Sequence, residues 1–341
     1  MTFLHSKMRI EKSPLLPGSG RDGAPGSFRY CVLLVLLTAV VIPAWAKPGK
    51  HVVVVPVANM YSGPSERNDV VSQALYGSNV TLLVARGEWS RIQTPDHYRG
   101  WVLSRHLRIL LVGDGYAVSG PKVQVESLFA NLYAEPDVTK HKPVITLPFE
   151  VRLEVIPPKN AKPSDDRWIQ VELPDQRKAW IQAGDVISDP KPLSIPESIE
   201  LAKRFLGFPY LWGGRSSFGY DCSGFTQMLV RARGINMPRD ADLQAAWSGA
   251  SKVDRKDLQP GDLLFFGSSM KDISHTGMYI GDGQFIHDTT NGHPVVQISR
   301  LDDEPWTKIL LACRRVKQTP PSDVRALLMD RCEHPAKQFL R

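Results

Sequence analysis

The segment Tyr220-Asp221-Cys222-Ser223-Gly224-Phe225 places a cysteine directly behind an aspartate at the start of an amphipathic run. Phe225, Met228, Leu229 and Ala232 fall at i, i+3, i+4 and i+7, the spacing of a helix buried on one face, and Gly234 is placed to end it. Asp221 or Ser223 is the cap, which puts Cys222 in the first turn. There the unpaired N–H groups and the positive end of the helix dipole favour a thiolate and predict a lowered thiol pKa. Such a nucleophile needs an imidazole base and a third polar group to orient that base.

Two histidines offer themselves, in the strand-like segment SHTGMYIGDGQFIHD, on either side of Gly281-Asp282-Gly283. A two-residue Asp282-Gly283 loop would set His287 opposite Met278 and send His275 to the other face of the sheet. A three-residue loop, with Gly283 in the left-handed position and a bulge, sets His287 opposite Gly277 and brings His275 onto the same face diagonally. Diagonal neighbours lie roughly 7 Å apart, within reach of two imidazoles. Catalysis by this pair therefore predicts the longer loop.

Other chemistries fit these residues less well. Cys222, His275 and His287 are a possible set of three zinc ligands with water in the fourth place, but no CxxC or HxxxH pair supports a metal, and none is expected, nor any other cofactor. Burial of Cys222 as a small apolar residue leaves the preceding aspartate without a purpose.

The chain has 341 residues, 42% apolar and 23% charged, which is near the globular average and long enough for two or three domains. Its first 30 residues carry five Lys/Arg and precede the run CVLLVLLTAVVI and the triplet Ala44-Trp45-Ala46. That order of basic, apolar and small residues reads as a signal peptide over 1–46, with an uncleaved anchor as the alternative. An exported protein, periplasmic or secreted and without stable membrane insertion after cleavage, is the expectation. Removing the leader lowers the formal charge from +7 to +4, and no Lys/Arg run suggests nucleic acid. It also leaves Cys222, Cys313 and Cys332, an odd number; if Cys313 and Cys332 pair, Cys222 is the free thiol.

An internal repeat precedes the cysteine. Val57-Ala58-Asn59-Met60-Tyr61 recurs as Phe129-Ala130-Asn131-Leu132-Tyr133, Glu88-Trp89-Ser90-Arg91-Ile92 as Arg167-Trp168-Ile169-Gln170-Val171, and Gly100-Trp101-Val102 as Ala179-Trp180-Ile181. The offset grows from 72 to 79 residues, which implies a seven-residue insertion, most simply in VIPPKNAKPSDD. Short alternating runs between Gly, Pro, Asp and Asn make each copy a small β-barrel, with Trp89 and Trp168 packing in its core. Pro190, Pro192 and Pro196 mark a linker, after which a helix over Ile195–Phe205 opens an α+β region.

The two copies resemble bacterial SH3-like domains. The motifs PYLWGG at 209–214, DCSGF at 221–225, MPRDADLQ at 237–244, LQPGDLLFF at 258–266 and HTGMYIGDGQFIHD at 275–288 together resemble the NlpC-type cell-wall peptidases, a papain-like cysteine peptidase family. Thr276 stands where valine is usual and Ala241 where serine or threonine is common. The resemblance implies a multi-domain chain: two small SH3-like β-barrels at 47–112 and 113–190, an α+β papain-like peptidase domain at 191–316, and a C-terminal extension at 317–341. It implies Cys222 as nucleophile, His275 as base and His287 as the orienting group. The substrate it implies is a peptidoglycan stem peptide or muropeptide fragment, cut between γ-D-glutamate and a diamino acid. Enzymes of this family with two SH3-like domains require a free N-terminal L-alanine. By that likeness Tyr210, Asp221 and Ser223 hold the amine, Tyr98 closes the pocket from the first SH3-like domain, and Glu66 or Asp69 supplies a carboxylate. A non-catalytic wall-binding or scaffolding protein is the other class of function, against which the intact Cys222, His275 and His287 set speaks.

Overall fold

The computed structural model describes residues 49–111, 113–158 and 166–317. The expected leader, most of the inserted segment, the C-terminal extension from residue 318 and the proposed partner of Cys313, Cys332, lie outside the described residues.

The repeat in the sequence is a repeat in three dimensions. The first antiparallel sheet runs Val70–Leu75, Val57–Tyr61, Arg99–Leu103, Trp89–Gln93, Asn79–Arg86, Lys50–Val53, Leu107–Ile109. The second runs Ile145–Pro148, Phe129–Tyr133, Lys178–Gln182, Trp168–Glu172, Arg152–Val155, Lys122–Val125, Val186–Ile187, the same order strand for strand. The first core is built from the inward residues Val53, Ala58, Met60, Ala74, Val80, Ile92 and Val102, which alternate along their strands as period-two burial requires. The matched tryptophans do equivalent work, though not as core residues. Trp89 and Trp168 are half-buried, each meeting the tyrosine of the repeated pentapeptide edge-on, Tyr61 at 5.4 Å and Tyr133 at 5.7 Å between ring centroids.

Beyond the prolines, α1 spans Ile195–Lys203, two residues shorter than the spacing predicts. Ser194 caps it in a reciprocal box with Glu197. The nucleophile's helix α2 spans Cys222–Ala232 and a short α3 spans Ala241–Ala246. These helices cover one face of a six-stranded antiparallel sheet. Its order is Ala250–Val253, Leu310–Val316, Leu263–Ser269, Asp272–Gly281, Gln284–Thr289, Val295–Arg300. Phe205, Tyr220, Phe225, Met228 and Leu229 from the helical side meet Leu263, Phe265, Met278 and Ile286 from the sheet in one continuous core. Phe149 of the second barrel enters that core, so the domains are joined by apolar packing as well as by chain.

Among the described residues no helix is long and apolar enough to cross a membrane.

Candidate active site

Asp221 is the N-cap of α2, its Oδ1 accepting the Gly224 N–H at 2.7 Å. A side chain at Gly224 would bring its Cβ within 2.1 Å of the Gly214 carbonyl oxygen, so the first turn lies directly against the Tyr-Leu-Trp-Gly-Gly loop. Cys222, 6% exposed, faces the strand Asp272–Gly281. Its Sγ stands 4.0 Å from the Ser274 carbonyl oxygen, and the Thr276 N–H is directed at the sulfur. The two residues that flank His275 thus both touch the nucleophile.

Burial, and after it the charge of Asp221, push the Cys222 thiol up to about 12, against the pull of the Thr276 N–H, Arg239 and the Ser223 N–H. The lowered thiol pKa expected from the helix start is therefore reversed. The donors are present, but the sulfur is enclosed and its cap is an anion. Burial likewise holds His275 down to about 4, with Asp221 pulling weakly the other way, and holds His287 well below the ordinary histidine value. At neutral pH the resting pair is thiol and neutral imidazole.

His275 Nε2 and His287 Nδ1 are 2.7 Å apart, and His287 Nε2 is 3.0 Å from Ser299 Oγ. If His275 Nδ1 is to accept the thiol proton, Nε2 must carry the hydrogen and donate to His287 Nδ1, while His287 Nε2–H donates to Ser299. Trp306, Phe266 and Phe285 wall the pair, with Trp306 5.2 Å from His275 and 4.8 Å from His287. Ser299 and Trp306 carry no motif in the sequence, and only the fold reveals them. His275 Nε2 and both His287 nitrogens are engaged in this hydrogen-bonded chain. Among the described residues no cluster of three or more His, Cys, Asp or Glu side chains forms a ligand set.

The register is the one that brings both imidazoles to one face, and it is reached by a different device. Met278 pairs with Ile286 and Tyr279 with Phe285, which carries His287 opposite Gly277. The loop itself is only two residues, closed by Gly281 and Gln284. Asp282 and Gly283 both have positive φ, and the extra residue is a bulge in the strand between Tyr279 and Gly281. Gly277 is needed there, since a Cβ would sit 3.0 Å from His287 Cβ and 2.9 Å from Phe285 Cδ2.

The residues expected to hold an amine are distributed differently. Asp221 and Ser223 are occupied by Arg239, which is 3% exposed. Its Nη1 donates to Asp221 Oδ1 at 2.9 Å and to Ser223 Oγ at 2.8 Å, and its Nη2 to Asp221 Oδ2 at 2.7 Å and Gly214 O at 3.1 Å. Burial opposes the Arg239 charge, and the Asp221 carboxylate more than compensates. Asp221 is thus ion-paired with a buried guanidinium within its own domain. Tyr98 does reach the peptidase domain, its hydroxyl 3.2 and 3.3 Å from the two oxygens of Asp240. Burial is the main cause that raises Asp240 to about 6, with Arg239 pulling it down and Asp242 pushing it up.

Glu66 and Asp69 are exposed on the loop after Val57–Tyr61. Glu66 borders a shallow depression made only of first-barrel residues, and among the described residues no hydrogen bond or ion pair joins either carboxylate to the peptidase domain. The carboxylate that meets Tyr98 is Asp240. Tyr210 is half-buried and near enough to Cys222, Asp221 and Asp288 for burial and then these groups to raise its hydroxyl pKa. Trp212, in the same loop, is 67% exposed. Asp288, which follows His287 and points to the opposite face, is fully buried with no hydrogen-bond partner of ordinary geometry on either oxygen. Burial, then Asp221, raises it to about 8 against the Thr289 N–H.

Residues 207–315 match the NlpC/P60 family, and residues 60–107 match the bacterial dipeptidyl-peptidase Sh3 domain. A gamma-D-glutamyl-L-lysine dipeptidyl-peptidase of Bacillus cereus is 34% identical over 237 residues, covering 64% of this chain and 67% of the relative. Its namesake in Bacillus subtilis is 29% identical over 265 residues, covering 73% and 81%. A crystal structure of an NlpC/P60 family protein from Bacillus cereus superposes with a TM-score of 0.67 at 27% identity, covering 78% of this chain and 99% of that one.

Proposed function

The chain belongs to the NlpC/P60 family of cysteine peptidases, and we propose that it is an exported enzyme cutting the γ-D-glutamyl–diamino acid bond of peptidoglycan stem peptides with a free N-terminal L-alanine. The bond is suggested by the relatives named gamma-D-glutamyl-L-lysine dipeptidyl-peptidase, and export by the leader-like first 46 residues. The second barrel, with the strand order of the first, is read as a second SH3-like domain ahead of a papain-like peptidase domain beginning near residue 191.

One observation carries the proposal. A tyrosine from the first barrel meets a buried carboxylate, Asp240, and the neighbouring Arg239 is locked to Asp221 at the cap of the nucleophile's helix. A carboxylate and a phenol converging beside the nucleophile suit an ammonium, since a buried cation keeps its charge only where an anion meets it. Asp240 is the better anion than Asp221 because the Arg239 guanidinium is spent on Asp221. Tyr210 is close enough to both Cys222 and Asp221 to feel their charge.

Chemistry follows from the resting pair. His275 Nδ1 takes the Cys222 proton as Sγ attacks the amide carbon, and the N–H of Cys222 at the helix start meets the oxyanion. The C–N bond breaks as the imidazolium gives its proton to the leaving amine. Water then attacks the thioester, His275 takes its proton, the C–S bond breaks and the thiol is restored. His287 and Ser299 hold the His275 ring in one orientation throughout.

The free-amine requirement is tested by comparing L-alanyl-γ-D-glutamyl-L-lysine with its N-acetylated analogue. Loss of an ammonium–carboxylate contact should lower kcat/KM by about 100-fold. Equal turnover of the two would remove the proposed amine pocket.

A further inference from the structure

Asp96 lies two residues before Tyr98, in the turn between the strands Trp89–Gln93 and Arg99–Leu103, and it leaves its own barrel for the helix that begins with Cys222. Its Oδ1 accepts from Thr94 Oγ1 inside the turn. Its Oδ2 accepts from Gln227 Nε2 at 3.2 Å and pairs with Arg215 Nη2 at 3.7 Å. Gln227 is on the second turn of α2, and its amide is fully engaged. Nε2 also donates to the Met237 carbonyl at 2.9 Å, and Oε1 accepts from Arg215 Nε at 3.1 Å and Arg231 Nη1 at 3.4 Å. Arg231, one turn on, forks onto Glu150 of the second barrel at 3.1 and 2.6 Å. One amide on the nucleophile's helix is therefore tied to both preceding domains.

The turn is closed by bonds of its own, the Thr94 N–H to the Tyr98 carbonyl at 3.0 Å and the His97 N–H to the Thr94 carbonyl at 2.8 Å, but these lie within the first barrel and do not set the turn against the peptidase domain. His97 occupies the left-handed region at φ 64, which is uncommon for a non-glycine residue. The Tyr98 hydroxyl touches the peptidase domain at the tip of a long side chain, and a displacement of about 1 Å would break both of its bonds to Asp240. Groups that must hold such a tolerance need rigid support behind them.

We propose that Asp96 is a positioning residue for substrate recognition: by fastening the Thr94–Tyr98 turn to Gln227 and Arg215, it sets the Tyr98 hydroxyl against Asp240 and registers the amine pocket to the helix carrying Cys222. This rests on the reading of Tyr98 and Asp240 as the amine pocket. Burial opposes the Asp96 charge, but Arg215, the Thr94 hydroxyl, Arg231 and the Gln227 amide together outweigh it, and the carboxylate is ionised when it does this.

The test uses the full chain with Asp96→Ala and the milder Asp96→Asn, thermal melts establishing that each is folded. Three readouts are taken: kinetics on the tripeptide and its N-acetylated analogue, alkylation of Cys222 by iodoacetamide, and hydrogen exchange over residues 93–99. For Asp96→Ala the KM of the free-amine tripeptide rises about 10-fold, the loss of one charged hydrogen-bond's worth of alignment, while kcat stays within about twofold. The preference over the acetylated analogue narrows, alkylation is unchanged, and exchange rises in the turn but not in the Lys50–Val53 strand. Asp96→Asn falls between. Tyr98→Phe adds little in the Asp96→Ala background, because the hydroxyl has already lost its place. Wild-type KM and wild-type turn exchange in Asp96→Ala, or full multiplication of the two effects, would overturn the positioning role. Failure of the wild type to discriminate against the acetylated peptide is a different result. It removes the amine reading, while turn exchange and KM still decide whether Asp96 positions Tyr98.

Discussion

His275 and His287 share a 2.7 Å hydrogen bond because a one-residue bulge after Tyr279 sets Gly277, the residue with no side chain, across from His287. His275, the proposed base, is thus held by a buried imidazole, itself anchored on Ser299 at 3.0 Å.

Removing that orienter should cost turnover and spare binding. His287→Ala is expected to lower kcat by about 100- to 1,000-fold with KM little changed, the pattern for loss of a group that acts on the base. His287→Asn keeps an acceptor for His275 and should lose less. Steady-state kinetics on the tripeptide decide it, and an unchanged kcat in His287→Ala would contradict the assigned role.

The pH behaviour follows from two opposite displacements, Cys222 up to about 12 and His275 down to about 4, both led by burial. His275 is protonated only as pH falls towards 4, so activity should persist through pH 6 and fail below about 5. Iodoacetamide alkylation of the free enzyme should go on accelerating beyond pH 9. A plateau reached below pH 7 would mean a preformed thiolate–imidazolium pair instead.

Asp221 and Arg239 form a buried pair in which each is the other's compensation. Asp221→Asn leaves a buried guanidinium without its anion and should destabilise by about 3 to 5 kcal/mol in denaturant melts. Arg239→Lys keeps the charge, but it loses the fork that serves Asp221, Ser223 and Gly214 together, and should also lose stability. Wild-type midpoints for both would show the pair to be dispensable.

Asp288 gives a stability prediction with a definite sign. Its folded-state pKa is raised to about 8. Below pH 4 the carboxyl is neutral both folded and unfolded. Between about 4 and 8 the unfolded chain ionises while the fold keeps its proton, so stability falls as pH rises and the loss is complete above 8. Asp288→Asn escapes this, and should exceed the wild type by about 1 to 3 kcal/mol at pH 9 with little difference at pH 4. A constant difference across that range would mean that Asp288 has an ordinary pKa.

Much of this was readable in the sequence because the signals are local. Helix spacing from Phe225 to Ala232, the cap before Cys222 and the parity of His275 and His287 all act within a few residues, and the tandem barrels announce themselves by repetition. What was not readable depends on distant parts of the chain meeting. Arg239 lies inside a quoted motif, yet its claim on Asp221 appears only when α3's approach folds beside the cap. The resemblance points to Glu66 or Asp69 in the same domain as Tyr98, whereas the carboxylate that Tyr98 meets lies across a domain boundary, 142 residues on. The thiol pKa was misjudged for a related reason. A helix start is a local property, while enclosure of the sulfur by a strand 52 residues away is not.

The decisive experiment is mass spectrometry of L-alanyl-γ-D-glutamyl-L-lysine incubated with the wild type and with Cys222→Ala. The wild type should release L-alanyl-D-glutamate and free lysine, with neither product from Cys222→Ala. Cleavage at another bond, or the same products from the cysteine-free variant, would contradict a Cys222-centred γ-D-glutamyl peptidase.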